Sequence, residues 1–167
     1  MKQRKILLAM VLLAALSAIF TGELSGKGGA VVQAKAAGYK FTWKHVTVYM
    51  GAPAKKLIEK AGTPERTKAV KSCAYNGKDR TYQYKDFILY TYSDTDNGPE
   101  YVSGVTFLTK KAATKEAVRI GSAYSKVKKK YGNKKDYLGV YTYKKGGSKL
   151  QIEVTDDVVT NIRYIKA

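Results

Sequence analysis

The chain has 167 residues, with 31 Lys+Arg against 13 Asp+Glu, one histidine and one cysteine, and a formal net charge of +18. A single cysteine excludes an intramolecular disulfide, and no cluster of His, Cys and carboxylates has the spacing of zinc ligands. The length bounds one modest domain once the N-terminal segment is set aside.

That segment has the layout of an export signal. Lys2, Arg4 and Lys5 form a positive n-region, Ile6 to Phe20 is an apolar run broken only by Ser17, and Ala34-Lys35-Ala36 supplies an A-x-A cleavage site. Residues 1–36 therefore read as a signal peptide, and the chain as secreted, extracellular or retained at the cell surface. The apolar run is 15 residues long, short of the about 20 a membrane-spanning helix needs; an uncleaved N-terminal anchor is the alternative. Cleavage after Ala36 leaves 131 residues with 26 Lys+Arg and 12 Asp+Glu, a net charge of +14.

Past the signal, one block occurs twice, 70 residues apart. Val48, Met50, Gly51, Leu57, Ala61 and Gly62 align with Val118, Ile120, Gly121, Val127, Tyr131 and Gly132. An internal repeat means that one supersecondary unit is used twice to build one core. In the first copy Ala54, Leu57, Ile58 and Ala61 fall at i, i+3, i+4 and i+7, a helical stripe ended by Gly62 and Pro64. In the second, Ser122 is the expected N-cap, Tyr124, Val127 and Tyr131 form the stripe, and Gly132 closes it. Lys128, Lys129 and Lys130 fill its last turn, at the negative end of the helix dipole.

After each helix the pattern changes to a period of two. Thr81 to Tyr84, Phe87 to Tyr92 and Tyr101 to Leu108 read as strands, with Asp96-Asn97-Gly98 as a hairpin loop. Gly139 to Tyr143, Lys149 to Thr155 and Val158 to Ile165 follow in the second copy, joined by Lys145-Gly146-Gly147 and Asp156-Asp157. Val105 and Phe107 match Ile162 and Tyr164 at an offset of 57, so the second copy is 13 residues shorter, in the loop after the helix and in the long hairpin. The expected fold is α+β: two tandem repeats, 37–110 and a shortened 111–167, each with short helices on one face of antiparallel sheet.

With both glycine-framed blocks in hand, the chain resembles the β-lactamase inhibitory proteins and, more distantly, the single-repeat SmpA/OmlA outer-membrane lipoproteins. The run Ser72-Cys73-Ala74-Tyr75-Asn76-Gly77-Lys78-Asp79, followed by Tyr82, Tyr84, Thr91 and Tyr92, is also similar to secreted proteins of clostridia. The resemblance implies a helix-loop-helix motif packed on a four-stranded antiparallel sheet in each repeat, with a concave sheet face that grips a protein partner. It implies Asp79 as the nearest equivalent of the inhibitors' active-site loop aspartate. The chain departs from that pattern at Ala52, Ser122, Pro53 and Ala123, and lacks the inhibitors' disulfides. Fold carries over better than function, because function lives in sites grafted on folds.

Residue chemistry points the same way. His45 is the sole candidate base and Cys73 the sole thiol, with no helix N-terminus beside Cys73 to lower its pKa. A lone Cys73 is more often a small buried hydrophobe than a reactive thiol. Asp94, Asp96, Asn97 and Glu100 hint at a calcium loop, but their glycine is misplaced and a hairpin turn accounts for them. No metal or cofactor is expected.

Tyrosine is the distinctive residue, with 14 in the chain. Tyr82 with Tyr84, and Tyr141 with Tyr143, project from one strand face at equivalent places in the two copies. On an open face they would be binding anchors; under the helices they would be core. From Lys115 to Lys149 there are 11 Lys+Arg against Glu116 and Asp136, a basic patch suited to anionic surfaces. Nucleic acid is a poorer partner, since no recognition motif accompanies the charge.

Two functions follow. One is a non-catalytic extracellular module that engages a protein partner at the cell envelope, such as an enzyme it restrains, through Asp79, Tyr82, Tyr84, Tyr141 and Tyr143. The other is an envelope-retention protein that binds anionic cell-wall polymer or membrane surface through Lys126, Lys128, Lys129, Lys130, Lys134 and Lys135.

Overall fold

The computed structural model describes residues 38–167; the export signal read over 1–36 lies outside the described residues. The described chain opens with a hairpin. β1 (Lys40–Trp43) pairs antiparallel with β2 (Val46–Tyr49), Phe41 opposite Val48. Phe41 and Val48 are buried while Thr42 and Tyr49 face water, the alternation a one-sided hairpin requires. Lys44 and His45 form its two-residue turn, both with positive φ, which matches the twist of the strands they join.

Seven further strands form one antiparallel sheet: β3 (Arg66–Lys71), β4 (Lys78–Gln83), β5 (Phe87–Ser93), β6 (Glu100–Phe107), β7 (Val140–Lys145), β8 (Ser148–Thr155) and β9 (Val158–Lys166). Their order is β3-β4-β5-β6-β9-β8-β7. The two copies meet at β6 and β9, through Gly104↔Ile165, Val105↔Tyr164 and Thr106↔Arg163.

Among the described residues helix is confined to α1 (Lys55–Ala61) and α2 (Tyr124–Tyr131). The expected α+β architecture with a helix-loop-helix in each repeat is therefore wrong: this is a β-rich fold with one short helix per copy. The first copy opens with the β1–β2 hairpin and not with a second helix: Phe41 and Trp43 in one strand, and Val46 and Val48 in the other, stand two residues apart. In the second copy the corresponding residues 109–121 are irregular. Thr114 accepts from the Val118 amide there, and Ala117 has φ of +59°. Ser122 does not cap α2; its Oγ accepts from the Arg119 amide instead.

The copies nevertheless make the same backbone contacts. Gly51 N–H donates to the Val102 carbonyl (2.7 Å), and Gly121 N–H to that of Val159 (2.8 Å). Ala54 N–H reaches the Glu100 carbonyl and Tyr124 N–H that of Asp157, both at 2.8 Å. Each helix start is thus tied to the beginning of its last strand, at partners 57 residues apart. The shortening of the second copy falls at β3, which has no counterpart strand in 132–139, and at the 94–99 loop, which is replaced by the two-residue turn Asp156-Asp157.

The hairpin and both helices cover one face of the sheet. Phe41 packs on Phe87 and Phe107 at 5.0 and 5.6 Å between ring centroids, and Leu57, Val127, Leu89, Val105, Leu150 and Ile162 are fully buried in the same cluster. Among the described residues the core runs from Phe41 to Tyr164. Among the described residues no helix is long and apolar enough to cross a membrane.

Gly62 and Gly132 end the helices at φ/ψ of 87°/−152° and 83°/167°, a region open essentially to glycine alone. Gly62→Ala and Gly132→Ala should each destabilise by about 1–3 kcal/mol, read as a lowered urea midpoint. Wild-type midpoints in both would contradict this account of the caps.

Candidate functional site

In an antiparallel sheet, residues directly opposite one another share a face and sequence neighbours alternate. One line across the sheet runs Tyr82, Leu89, Val105, Tyr164, Leu150, Tyr143. Leu89, Val105 and Leu150 are fully buried, so this is the covered face. The adjacent line runs Lys68, Thr81, Tyr90, Gly104, Ile165, Lys149, Lys144. None of the described helices, nor the β1–β2 hairpin, packs over it.

The tyrosines singled out from the sequence belong to the covered face. Tyr84 and Tyr143 are only 5% and 3% exposed. Tyr143 meets the Tyr131 ring at 5.2 Å, and Tyr141 the Tyr124 ring at 4.4 Å, so α2 is seated on β7 by aromatic pairs. These residues act as core and helix-seating groups. Tyr82, half-buried, donates its hydroxyl to both Glu100 carboxylate oxygens at 2.9 Å. Arg80 pairs with the same carboxylate at 3.6 Å and Thr91 donates to it at 2.6 Å. Glu100 is thus occupied by protein partners. Asp96, another of the candidate calcium ligands, pairs with Lys78 at 3.8 Å.

Asp79 alone of the five lies on the open face, in register with Tyr92 and, beyond it, Tyr101. It helps line a groove of about 690 Å³ with Tyr75, Tyr90, Tyr92, Gly104, Arg163 and Lys166. Tyr75 comes from the β3–β4 loop and stacks on Tyr92 at 4.4 Å; Tyr92 meets Tyr101 at 5.6 Å. The Lys166 ammonium donates to the Tyr75 hydroxyl at 2.9 Å and sits 4.7 Å from the Tyr92 ring centroid, a cation–π arrangement. Its hydrogen bond to Tyr75 holds the lysine pKa above the ordinary value. Gly104 leaves room for this floor. A Cβ there would lie 2.9 Å from the Tyr164 carbonyl oxygen and 3.6 Å from the Tyr90 ring.

Tyr75, Tyr90, Tyr101, Arg163 and Lys166 were not among the sequence-derived site residues. The alternation of Tyr90 and Tyr92 with Leu89 and Thr91 was visible, but aromatic residues occupy both faces of β5 and its neighbours. Cys73 lies in the loop that carries Tyr75 and is exposed, against the expectation of a buried hydrophobe. His45 sits in the exposed β1–β2 turn. Among the described residues no group of three or more His, Cys, Asp or Glu could hold a metal ion.

The lysines occupy the far end of the second copy. Lys128, Lys129, Lys130, Lys134 and Lys135 are exposed; Lys128 lies over the Tyr124 ring at 4.8 Å, and Lys126 donates to the Ala117 carbonyl at 2.7 Å. Among the described residues none of the six is within ion-pair distance of a carboxylate. Comparison of the chain with protein-family models, with curated proteins and with solved structures finds no match.

Burial, followed by the Glu100 hydrogen bond, pushes the Tyr82 pKa up to about 12, and burial raises Tyr84, Tyr131, Tyr143 and Tyr164 as well. A raised folded-state pKa contributes stability that is complete below the unfolded value near 10 and is lost as pH rises through the folded value. Stability to urea should therefore decline from about pH 10 through pH 12, and Tyr82→Phe should shallow that decline. Full tyrosinate absorbance near pH 11 in a chain that is still folded would contradict it.

Proposed function

We propose that this chain is a secreted, non-catalytic binding module that engages a protein partner at the cell envelope through the open sheet face. The observation that carries this reading is the Tyr75–Tyr92–Tyr101 stack with Lys166 at its edge, beside a groove no described element fills. Tyrosines supply large contact area at low entropic cost and are over-represented among residues that dominate binding energy. Of the groove's cations Arg163 pairs with Glu153 at 3.8 Å and Arg80 with Glu100 at 3.6 Å, which leaves Lys166 for an occupant; the fitting occupant is a protein segment that combines apolar side chains with a carboxylate for Lys166. An extracellular enzyme restrained by such contact is the partner that the resemblance to inhibitory proteins favours, with Asp79 on the same face.

A second reading is retention on an anionic polymer or membrane through the lysines of α2 and the loop after it. It is favoured by the exposure of Lys128, Lys129, Lys130, Lys134 and Lys135 without ion-pair partners, a concentration of charge that acts on polyanions at short range.

Retention of tagged residues 38–167 on envelopes of the producing organism separates the two. Protein engagement predicts binding that is lost after protease treatment of the envelopes. It also predicts about a tenfold or greater loss on combining Tyr75→Ala with Lys166→Ala, two changes outside the buried core that should leave the thermal midpoint close to wild type. Retention undiminished in that variant, or by protease, would contradict the open-face reading.

A further inference from the structure

The loop between α2 and β7 presents an apolar tip. Tyr137 and Leu138 are 79% and 85% exposed, the most exposed large hydrophobic residues among those described. They sit in a two-residue turn closed by Tyr137 N–H to the Val140 carbonyl (3.2 Å) and Val140 N–H to the Tyr137 carbonyl (3.0 Å). Leu138 and Gly139 have φ of +51° and +77°. For leucine the left-handed region is an outlier, because its Cβ crowds the following carbonyl. The three comparable turns carry Lys44-His45, Gly146-Gly147 and Asp156-Asp157 at these positions, all glycine or hydrophilic.

The tip is held firmly. Asp136 accepts from the Gly139 amide at 2.8 Å, and the Gly139 carbonyl accepts from Val154 N–H of β8 at 2.9 Å. The Tyr143 hydroxyl donates to the Gly132 carbonyl at the base of the loop. Leu138 is therefore kept pointing into solvent, in a conformation unfavourable to it, with no described residue covering it. Such an outlier argues for a use.

Its surroundings name the use. Between Lys126 and Lys145 there are eight lysines and one carboxylate, Asp136, which is engaged by the turn. Lys134 and Lys144, from opposite sides of the loop, line one cavity. We propose that this tip docks on an anionic lipid bilayer: Leu138 enters the acyl boundary, the Tyr137 ring lies at headgroup level, and the flanking lysines meet lipid phosphates. An apolar side chain and a basic patch together are the paired signal that stable peripheral binding needs, since either alone is weak. A dissolved polyanion would use the lysines and gain nothing from Leu138. The inference rests on the retention reading above and narrows it to lipid.

The test is co-sedimentation of residues 38–167 with vesicles of phosphatidylcholine, with and without phosphatidylglycerol, beside binding of soluble poly(glycerol phosphate). Leu138→Asn is the decisive variant, because asparagine suits the left-handed turn and should keep or raise the melting temperature. Expected are binding to the anionic vesicles only, a loss of about tenfold or more in Leu138→Asn, and a similar loss with a shallower salt dependence in the Lys134→Gln/Lys135→Gln pair. Vesicle binding unchanged by Leu138→Asn would overturn the inference. Binding of the soluble polymer without binding of vesicles would overturn it too and leave the retention reading standing; binding of neither would remove both.

Discussion

Three residue pairs between β6 and β9 make one sheet out of two. A half-chain of about 60 residues would be only marginally stable alone, and the seam enlarges its core by running the buried line from Leu89 through Val105 and Tyr164 to Leu150 without interruption. It also fixes Gly104, whose missing side chain lets β9 approach and leaves space for the Tyr90 ring. The seam therefore sets the core on one side and the groove on the other.

From this the division of labour among tyrosines follows. Those in line with Leu89 and Leu150 are used to seat α2 and close the core, and burial raises the pKa of their hydroxyls above the ordinary value. Those one residue out of phase, Tyr90 and Tyr92, are left on the far face, where the β3–β4 loop adds Tyr75 and the end of β9 adds Lys166. On the reading proposed above, the same residue type thus stabilises one face and recognises from the other, while the lysine-rich end of the second copy contributes a separate, electrostatic contact.

Much of the fold was legible in the chain. The glycines at 51, 62, 121 and 132 mark left-handed positions in both copies, and β4 to β9 follow the period-two segments closely. The offset of 57 between matching strand residues reappears in the hydrogen bonds to Val102 and Val159. What escaped was local and physical. β3 is exposed along its whole length, so it carries no apolar alternation. β1 and β2 are four residues each, too short for a period to stand out. The choice of face was illegible because a strand with aromatic residues at both phases gives the same pattern whichever side is covered. Only the packing of Phe41 and α2 decides it.

That choice is the claim on which the functional argument stands, and nitration of residues 38–167 by tetranitromethane with peptide mass mapping tests it directly. The account predicts fast modification of Tyr137 and of the open-face residues Tyr75, Tyr90, Tyr92 and Tyr101, with Tyr84, Tyr143 and Tyr164 protected until the protein unfolds. Rapid modification of Tyr84 and Tyr143 with protection of Tyr90 and Tyr92 would mean that the covered and open faces are reversed.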